Sequence, residues 1–194
     1  MKKTAFTIMA LSALAACGKS GAENTAPEPP EKLYARQAVQ LFYKTCLDTA
    51  ADETKLAAWA QQNKLPELDA RQKREFNFEP EAKRVWGVHS KPDGRFFLAS
   101  GSAYCSVKAK IADPATIESE MAALAAQAAD SLGLQTSVVK EGALPNVPMA
   151  KQTVYALEKQ GAPTDLLLAV YTDSRADAGA QAVLNLRFVR ADRR

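Results

Sequence analysis

Four strand-like segments follow one another in the last third of the chain, and only turns separate them. They span residues 135–140, 150–159, 165–172 and 180–189. Parallel neighbours need a crossover of a dozen or more residues, usually a helix, so strands joined by short turns pair antiparallel. Because the helical patterns lie mainly upstream, the order of elements predicts an α+β domain. We expect a mostly antiparallel sheet of about six to seven strands, with about three helices packed on it.

The last of these segments alternates between apolar and polar side chains. Alternation places successive side chains on opposite faces of a sheet. We expect four apolar side chains of this strand to point inward and two polar ones to point outward. The inward set is Ala182, Leu184, Leu186 and Phe188, and the outward set is Asn185 and Arg187.

Three further strands are predicted upstream, over residues 84–89, 95–100 and 103–110. The first two flank Lys91-Pro92-Asp93-Gly94, a sequence typical of a tight turn, and so form a hairpin. Cys105, Val107 and Ala109 share one face of the third strand.

The helical patterns precede and follow these strands. Apolar spacings of three and four predict a helix over residues 33–50 and a second one from residue 53 to about 63. Asp113 and Pro114 form a favourable start for the clearest helix, and Gly133 is suited to end it. Residues 67–82 are rich in charge and predict no element.

The N-terminus is typical of an export signal. Lys2 and Lys3 precede residues 4–16, which carry no charge. As a helix this stretch would reach roughly 20 Å, too short for a bilayer core of about 30 Å. A positive start, a short apolar core and small residues at its end indicate a secretory signal peptide over residues 1–16.

The end of that segment, Leu14-Ala15-Ala16-Cys17, resembles the lipobox of bacterial lipoproteins. The resemblance implies that Cys17 is the lipid attachment site, that the signal peptide is cut before it, and that the lipid holds the chain at a membrane. Multiple acyl chains anchor a protein stably. Because Gly18 rather than an aspartate follows the cysteine, the resemblance implies the outer membrane, with the domain facing the periplasm or the cell surface.

Residues 17–32 predict a tether, because after Cys17 they contain no large apolar residue and they include three prolines. A single α+β domain then follows over residues 33–194. The chain has 25 Lys and Arg against 22 Asp and Glu, a formal charge of +3. Removal of Lys2 and Lys3 with the signal takes away two charges and leaves +1. A nearly neutral domain of this kind excludes a dedicated nucleic-acid binder.

With Cys17 assigned to lipid, Cys46 and Cys105 remain as a pair. Both lie on predicted inward faces, and exported compartments are oxidising. We therefore expect a structural disulfide that joins a helix to the sheet. A redox catalyst would need close, exposed thiols, and a zinc site would need further ligands that the sequence does not cluster.

The chain offers no catalytic constellation. Its one histidine, His89, precedes the Lys91-Pro92 turn and accompanies no nucleophile elbow, metal motif or phosphate-binding loop. We predict no catalytic residue, no metal ligand and no cofactor, and we favour a non-enzyme. A hydrolase site around His89 or the carboxylates of residues 67–82, which include Glu79 and Glu81, is the alternative.

The string Ser100-Gly101-Ser102-Ala103-Tyr104 resembles a motif of periplasmic lysozyme inhibitors, some of which are lipoproteins. The second motif of that family is absent, since residues 155–161 keep only its Tyr and its Gly. An inhibitor-like function is therefore the weaker alternative.

A broader resemblance runs over roughly residues 35–140. A helix with Phe42-x-x-x-Cys46, a second helix with Trp, a Trp-bearing strand and Cys105-x-Val107 are similar to a family of small exported proteins and lipoproteins of Gram-negative bacteria, which has no assigned biochemical role. The resemblance supports the disulfide pairing and implies no catalytic residues. The function we expect is that of a membrane-anchored envelope lipoprotein that binds a partner, either an envelope protein or a glycan.

Overall fold

The computed structural model describes residues 28–76, 78–145 and 147–190, which form one seven-stranded sheet with helices packed on it. The helices are α1 (Pro30–Phe42), α2 (Glu53–Gln62), α3 (Ala70–Glu75) and α4 (Pro114–Leu132), and a π-helical turn, Tyr43–Leu47, continues α1. The strands are β1 (Arg84–Ser90), β2 (Gly94–Gly101), β3 (Tyr104–Ala109), β4 (Gln135–Ala143), β5 (Ala150–Glu158), β6 (Thr164–Asp173) and β7 (Ala182–Arg190).

The sheet has the strand order β1-β2-β3-β7-β6-β5-β4, and every neighbouring pair is antiparallel. The helix α4 carries the chain from β3 to the far edge, where β4 begins. Three hairpins then bring the chain back until β7 pairs with β3. The predicted α+β class and the predicted antiparallel sheet are confirmed.

The helices α1 and α4 cover one face of the sheet, which we call the helix face. On this face β3 contributes Cys105, Val107 and Ala109, as the alternation predicts, and β7 contributes Leu184 and Leu186. The buried stripe of α4 includes Ile117, Met121, Leu124 and Ala128, which recur at helical spacing. Leu132 continues this spacing in the last turn of α4 but is 58% exposed.

The ends of α4 are those that the sequence predicts. The Asp113 side chain accepts a hydrogen bond from the Thr116 backbone N–H, and Pro114 occupies the first turn. Gly133 closes the helix in the left-handed conformation, with φ of 63°. Among the described helices, none has the length and apolar composition that a bilayer span requires.

A disulfide joins Cys46 to Cys105, with the two Cα atoms 5.4 Å apart. Cys46 lies in the π-helical turn after α1, and both cysteines are fully buried. The bond ties the helix layer to an interior strand of the sheet, as expected. The first helix begins at Pro30, which is inside the range predicted as tether, and its regular α-helical part ends at Phe42 rather than at residue 50.

The opposite face of the sheet is also partly covered, which the sequence does not predict. Residues 65–76 and 78–83, called the cover segment here, begin by pairing with β1 through Glu67 and Trp86, then pack against this face of the sheet, and include α3. Backbone hydrogen bonds fix the segment at both ends: Gly87 N donates to Pro66 O at 2.9 Å, and Lys83 N donates to Ser100 O at 2.8 Å. A second apolar cluster lies between the segment and the sheet. The segment contributes Leu68 and Ala82, and the strands contribute Val85, Ala99 and Tyr104.

For two residues of β7 the direction agrees with the alternation but the exposure does not. Asn185 points away from the helix face as expected, but it is only 5% exposed, because the strand is flanked by β3 and β6 and that face is partly roofed. Phe188 is on the helix side by alternation but is 38% exposed, because it lies near the end of the strand beyond the helix layer. Burial on both faces makes alternation an incomplete guide to what is inward.

The close approach of the cover segment predicts the effect of a methyl group at Gly101. A Cβ built on Gly101 would lie 2.1 Å from the Glu81 carbonyl oxygen, so Gly101→Ala must displace the segment. We expect a loss of about 1–3 kcal/mol of unfolding free energy, as for other overpacked sites, measured by urea denaturation. We also expect faster proteolysis within residues 65–83.

Gly179→Ala is the matched control, because a Cβ there meets no atom within 4 Å. Its unfolding free energy should change by less than about 0.5 kcal/mol. Equal stability and equal proteolysis of the Gly101→Ala and Gly179→Ala chains would show that the segment does not rest on β2.

Candidate functional site

A cleft of about 440 Å³ lies on the face of the sheet that carries the cover segment. Its volume is within the range of small-molecule sites, about 300–1,000 Å³. The cover segment forms one wall and the β4–β5 connection contributes another. The floor includes Phe97, Lys108, Asn185 and Tyr171. The walls include Phe76, Glu79, Leu144 and Val147.

The register of the strands explains why the floor is depressed. Ala99, Ser106, Asn185 and Ala169 lie side by side on β2, β3, β7 and β6. Neighbouring rows carry larger side chains, since Phe97 pairs with Lys108 and Tyr104 pairs with Arg187. A row of small side chains between two rows of large ones leaves room on this face, and Asn185 is the polar group at that level of β7.

Asn185 is unusual among the floor residues. It lies within the cleft lining, and its carboxamide makes no hydrogen bond to any other part of the described chain. The carbonyl oxygen is closed off from solvent. Buried polar side chains in native proteins nearly always have partners, because an unpaired group loses its hydration without compensation. The cleft therefore contains a hydrogen-bonding group that the fold itself does not use.

Glu79 and Lys108 form the main charged pair of the cleft. Lys108 Nζ lies 3.4 Å from Glu79 Oε1, and the Lys108 side chain is only 10% exposed. The Tyr104 hydroxyl donates to Glu79 Oε2 at 3.1 Å. Lys108 Nζ also lies 4.5 Å from the centre of the Phe78 ring, a favourable position for a cation. These contacts fix Glu79 and Lys108 in place at the edge of the floor.

Tyr104 titrates at an abnormally high pH. Burial raises its pKa well above the ordinary value near 10, and the neighbouring Glu79 carboxylate raises that pKa further. Both causes disfavour a phenolate in this position. Tyr104 is therefore a neutral hydrogen-bond donor throughout the physiological pH range.

The remaining charges at the cleft are also paired. Arg187 Nη1 lies 3.6 Å from Glu81 Oε1, and its guanidinium lies over the Tyr104 ring at 5.1 Å. Arg175 binds Asp173 through both carboxylate oxygens, and this hydrogen bonding lowers the pKa of Asp173. The cleft thus contains matched positive and negative groups.

One wall of the cleft is aromatic. The Phe76 and Phe97 rings lie 4.7 Å apart and are tilted by 39°. Phe78 meets Phe97 edge to face at 5.5 Å. Phe76 is 40% exposed, and it lines both this cleft and the hollow at the β1–β2 hairpin. The Phe-x-Phe spacing of the cover segment was a signal in the sequence that this charged stretch packs against the sheet.

His89 lies in a second hollow of about 730 Å³ at the β1–β2 hairpin, which shares Phe76 and Phe97 with the cleft. It is exposed and lies across from Arg95, and the described residues provide it with no hydrogen bond or ion pair. Glu67 lines the same hollow, but its carboxylate binds Arg84 through both oxygens, and this hydrogen bonding lowers its pKa. Asp69 caps α3. The structure does not join His89 to a carboxylate.

The other residues singled out in the sequence have clear positions. Ser100 and Tyr104 of the inhibitor-like string are both buried, and neither is presented at the surface. Cys17 and the signal segment lie outside the described residues. Within the described ranges, no group of three or more His, Cys, Asp or Glu side chains is arranged to hold a metal ion.

The raised pKa of Tyr104 predicts an alkaline loss of stability. Above the ordinary tyrosine pKa of 10.0 the unfolded chain releases the Tyr104 proton while the folded chain keeps it. The unfolding free energy should then fall with rising pH by up to about 1.4 kcal/mol per pH unit from this group. Tyr104→Phe should remove that part of the slope, measured by urea denaturation between about pH 9 and pH 11.

Glu79→Gln is the comparison variant for this measurement. It removes the neighbouring charge but leaves Tyr104 buried, and burial is the larger cause of the raised pKa, so most of the slope should remain. Identical slopes for the unmodified and the Tyr104→Phe chains would contradict the assignment.

Comparison of the chain with protein-family models, with curated proteins and with solved structures finds no match in any of the three.

Proposed function

We propose that the chain is a lipoprotein of the bacterial cell envelope whose domain binds a partner in the cleft. The anchoring rests on the N-terminal sequence, in which the lipobox-like Leu14–Cys17 follows an uncharged segment of signal-peptide length. The disulfide supports export, because such bonds persist in oxidising compartments. The proposed location is the outer membrane, with the domain facing the periplasm or the cell surface.

The position of α1 gives the reach of the anchor. The helix begins at Pro30, so residues 17–29 separate the proposed lipid from the fold. At about 3.1 Å per residue, an extended segment of this length would span roughly 40 Å. Such a segment would let the domain stand clear of the lipid headgroups, which suits a module that binds something beyond the membrane surface.

The observation that carries the binding function is Asn185, a buried carboxamide without a partner on the floor of the cleft. Groups of this kind are retained in functional sites although they lower stability. The cleft also has a partly exposed aromatic wall and fixed polar groups around it, the usual composition of a ligand site. Phe76 and Phe97 also line the hollow at His89, but among the described residues that hollow has no buried side chain without a hydrogen-bond partner and no carboxylate bonded to His89, so the hydrolase alternative receives no support there.

The anchoring part of the proposal predicts the behaviour of Cys17→Ser. In cells fed radiolabelled palmitate, the unmodified chain should carry label and sediment with membranes. Cys17→Ser should carry no label and remain an uncleaved or unlipidated precursor, because the acylated thiol is missing. A Cys46→Ser/Cys105→Ser chain is the control and should keep its label. Label on the Cys17→Ser chain would refute lipidation at this site.

The binding part predicts site-specific cross-linking at the cleft. A photoreactive amino acid in place of Phe76 should give discrete adducts in living cells, whether with a protein or with the glycan sacculus. The same replacement at Tyr43 is the matched control, because Tyr43 is 41% exposed against 40% for Phe76 but lies outside the cleft. No adduct at position 76, or equal adducts at both positions, would refute binding at the cleft.

A further inference from the structure

We infer that the ligand of the cleft is a neutral sugar that carries an acetamido group, such as an N-acetylhexosamine unit of a glycan. This inference rests on the proposed binding function, and it names the class of ligand. It follows from three properties of the site: the balance of its charges, its exposed aromatic ring and its free carboxamide.

The charges argue against an ionic ligand. Glu79 and Lys108 are paired at 3.4 Å, and Asp173 is held by Arg175. An anion or a cation entering the cleft would have to compete with one of these pairs, and it would leave the displaced partner without a counter-charge in a partly buried place. A ligand without net charge enters at no such cost, and it can still accept or donate hydrogen bonds at the rim.

The aromatic wall argues for a ligand with a flat apolar side. Phe76 lines the cleft and is 40% exposed, and Phe97, which also lines the cleft, lies beside it with the ring centres 4.7 Å apart. The faces of aromatic rings carry partial negative charge and attract groups with a partial positive charge, such as C–H groups. A pyranose ring has a face composed of C–H groups and an edge composed of hydroxyls, so it can contact the wall and the polar floor together.

The carboxamide of Asn185 argues for an amide on the ligand. An asparagine side chain offers a carbonyl acceptor and two N–H donors. The carbonyl oxygen of Asn185 is closed off from solvent, so the amide N–H groups are the part that a ligand can reach, and the carbonyl oxygen of an acetamido group is a strong acceptor for them. Tyr171 lies one row away on β6, where its hydroxyl accepts from Gln152 Nε2 at 2.8 Å and stays close to the floor.

The test uses the full-length chain purified in detergent and titrated calorimetrically with the trimer of N-acetylglucosamine. We expect binding by the unmodified chain. Asn185→Leu should raise the Kd about tenfold, because the hydrogen bond from the amide to the ligand is lost. Phe76→Ala should also weaken binding, whereas Tyr43→Ala, an aromatic residue of equal exposure outside the cleft, should leave the Kd unchanged.

A second measurement separates a ligand-binding role of Asn185 from a structural one. Because the carboxamide has no partner within the described chain, Asn185→Leu should not lower the melting temperature of the unliganded protein. A clear fall in melting temperature would show that the carboxamide supports the fold, and this would overturn the inference. Absence of binding to the trimer would overturn it as well.

The probes also distinguish failure of this inference from failure of the proposed function. An uncharged alanine tripeptide should not bind. If it binds in place of the trimer, or if Phe76 cross-links in cells only to a protein, the sugar class is wrong while the binding function stands. If neither probe binds and position 76 gives no adduct in cells, both fail.

Discussion

Burial of β3 on both of its faces is the constraint on which the rest of the structure depends. All six residues of this strand are buried, although Tyr104, Ser106 and Lys108 are polar. On the helix face, Cys105 is bonded to Cys46, so the helix layer is held to the strand covalently. On the other face the cover segment must supply partners for the polar side chains, and Glu79 does so for both Tyr104 and Lys108. Without that segment, a lysine and a tyrosine of an interior strand would face water, and the second apolar cluster would be open.

The same constraint determines where the cleft forms. The cover segment packs against β1, β2 and β3. It ends near the boundary between β3 and β7, which is where the strand order departs from the sequence order. Beyond that line, small side chains on β7 and β6 leave a depression beside the segment. The cleft is therefore the boundary between the covered and the uncovered part of one face. The polar groups of the cleft are held in place, because Glu79 and Lys108 are joined to each other in an ion pair and Glu79 also accepts a hydrogen bond from Tyr104.

The sequence predicts the features that depend on local patterns. The antiparallel sheet, the cap residues Asp113 and Gly133, and the helix-side alternation of β3 each follow from residues close together in the chain. The disulfide follows from two inward positions together with the export that the N-terminal sequence predicts. The cover segment could be predicted only in part: its Phe-x-Phe spacing indicates packing against the sheet, but its helix has only six residues, and β1 and β2, to which its backbone is hydrogen-bonded, follow it in sequence. The cleft could not be predicted for the same reason, since it combines residues from the cover segment with residues from β2 to β7. Asn185 therefore looked like an ordinary outward polar residue of an alternating strand.

The disulfide and the free carboxamide are connected through stability. Closing a loop with a sequence separation of 59 residues stabilises a fold by about 4 kcal/mol in the chain-entropy model. A buried polar group without a partner costs about 1–3 kcal/mol. The covalent tie between the helix layer and β3 is thus large enough to offset the cost of Asn185 on the neighbouring strand. A fold without that tie would be under stronger pressure to replace Asn185 with an apolar residue, and the cleft would then lose the group that distinguishes it from a simple packing defect.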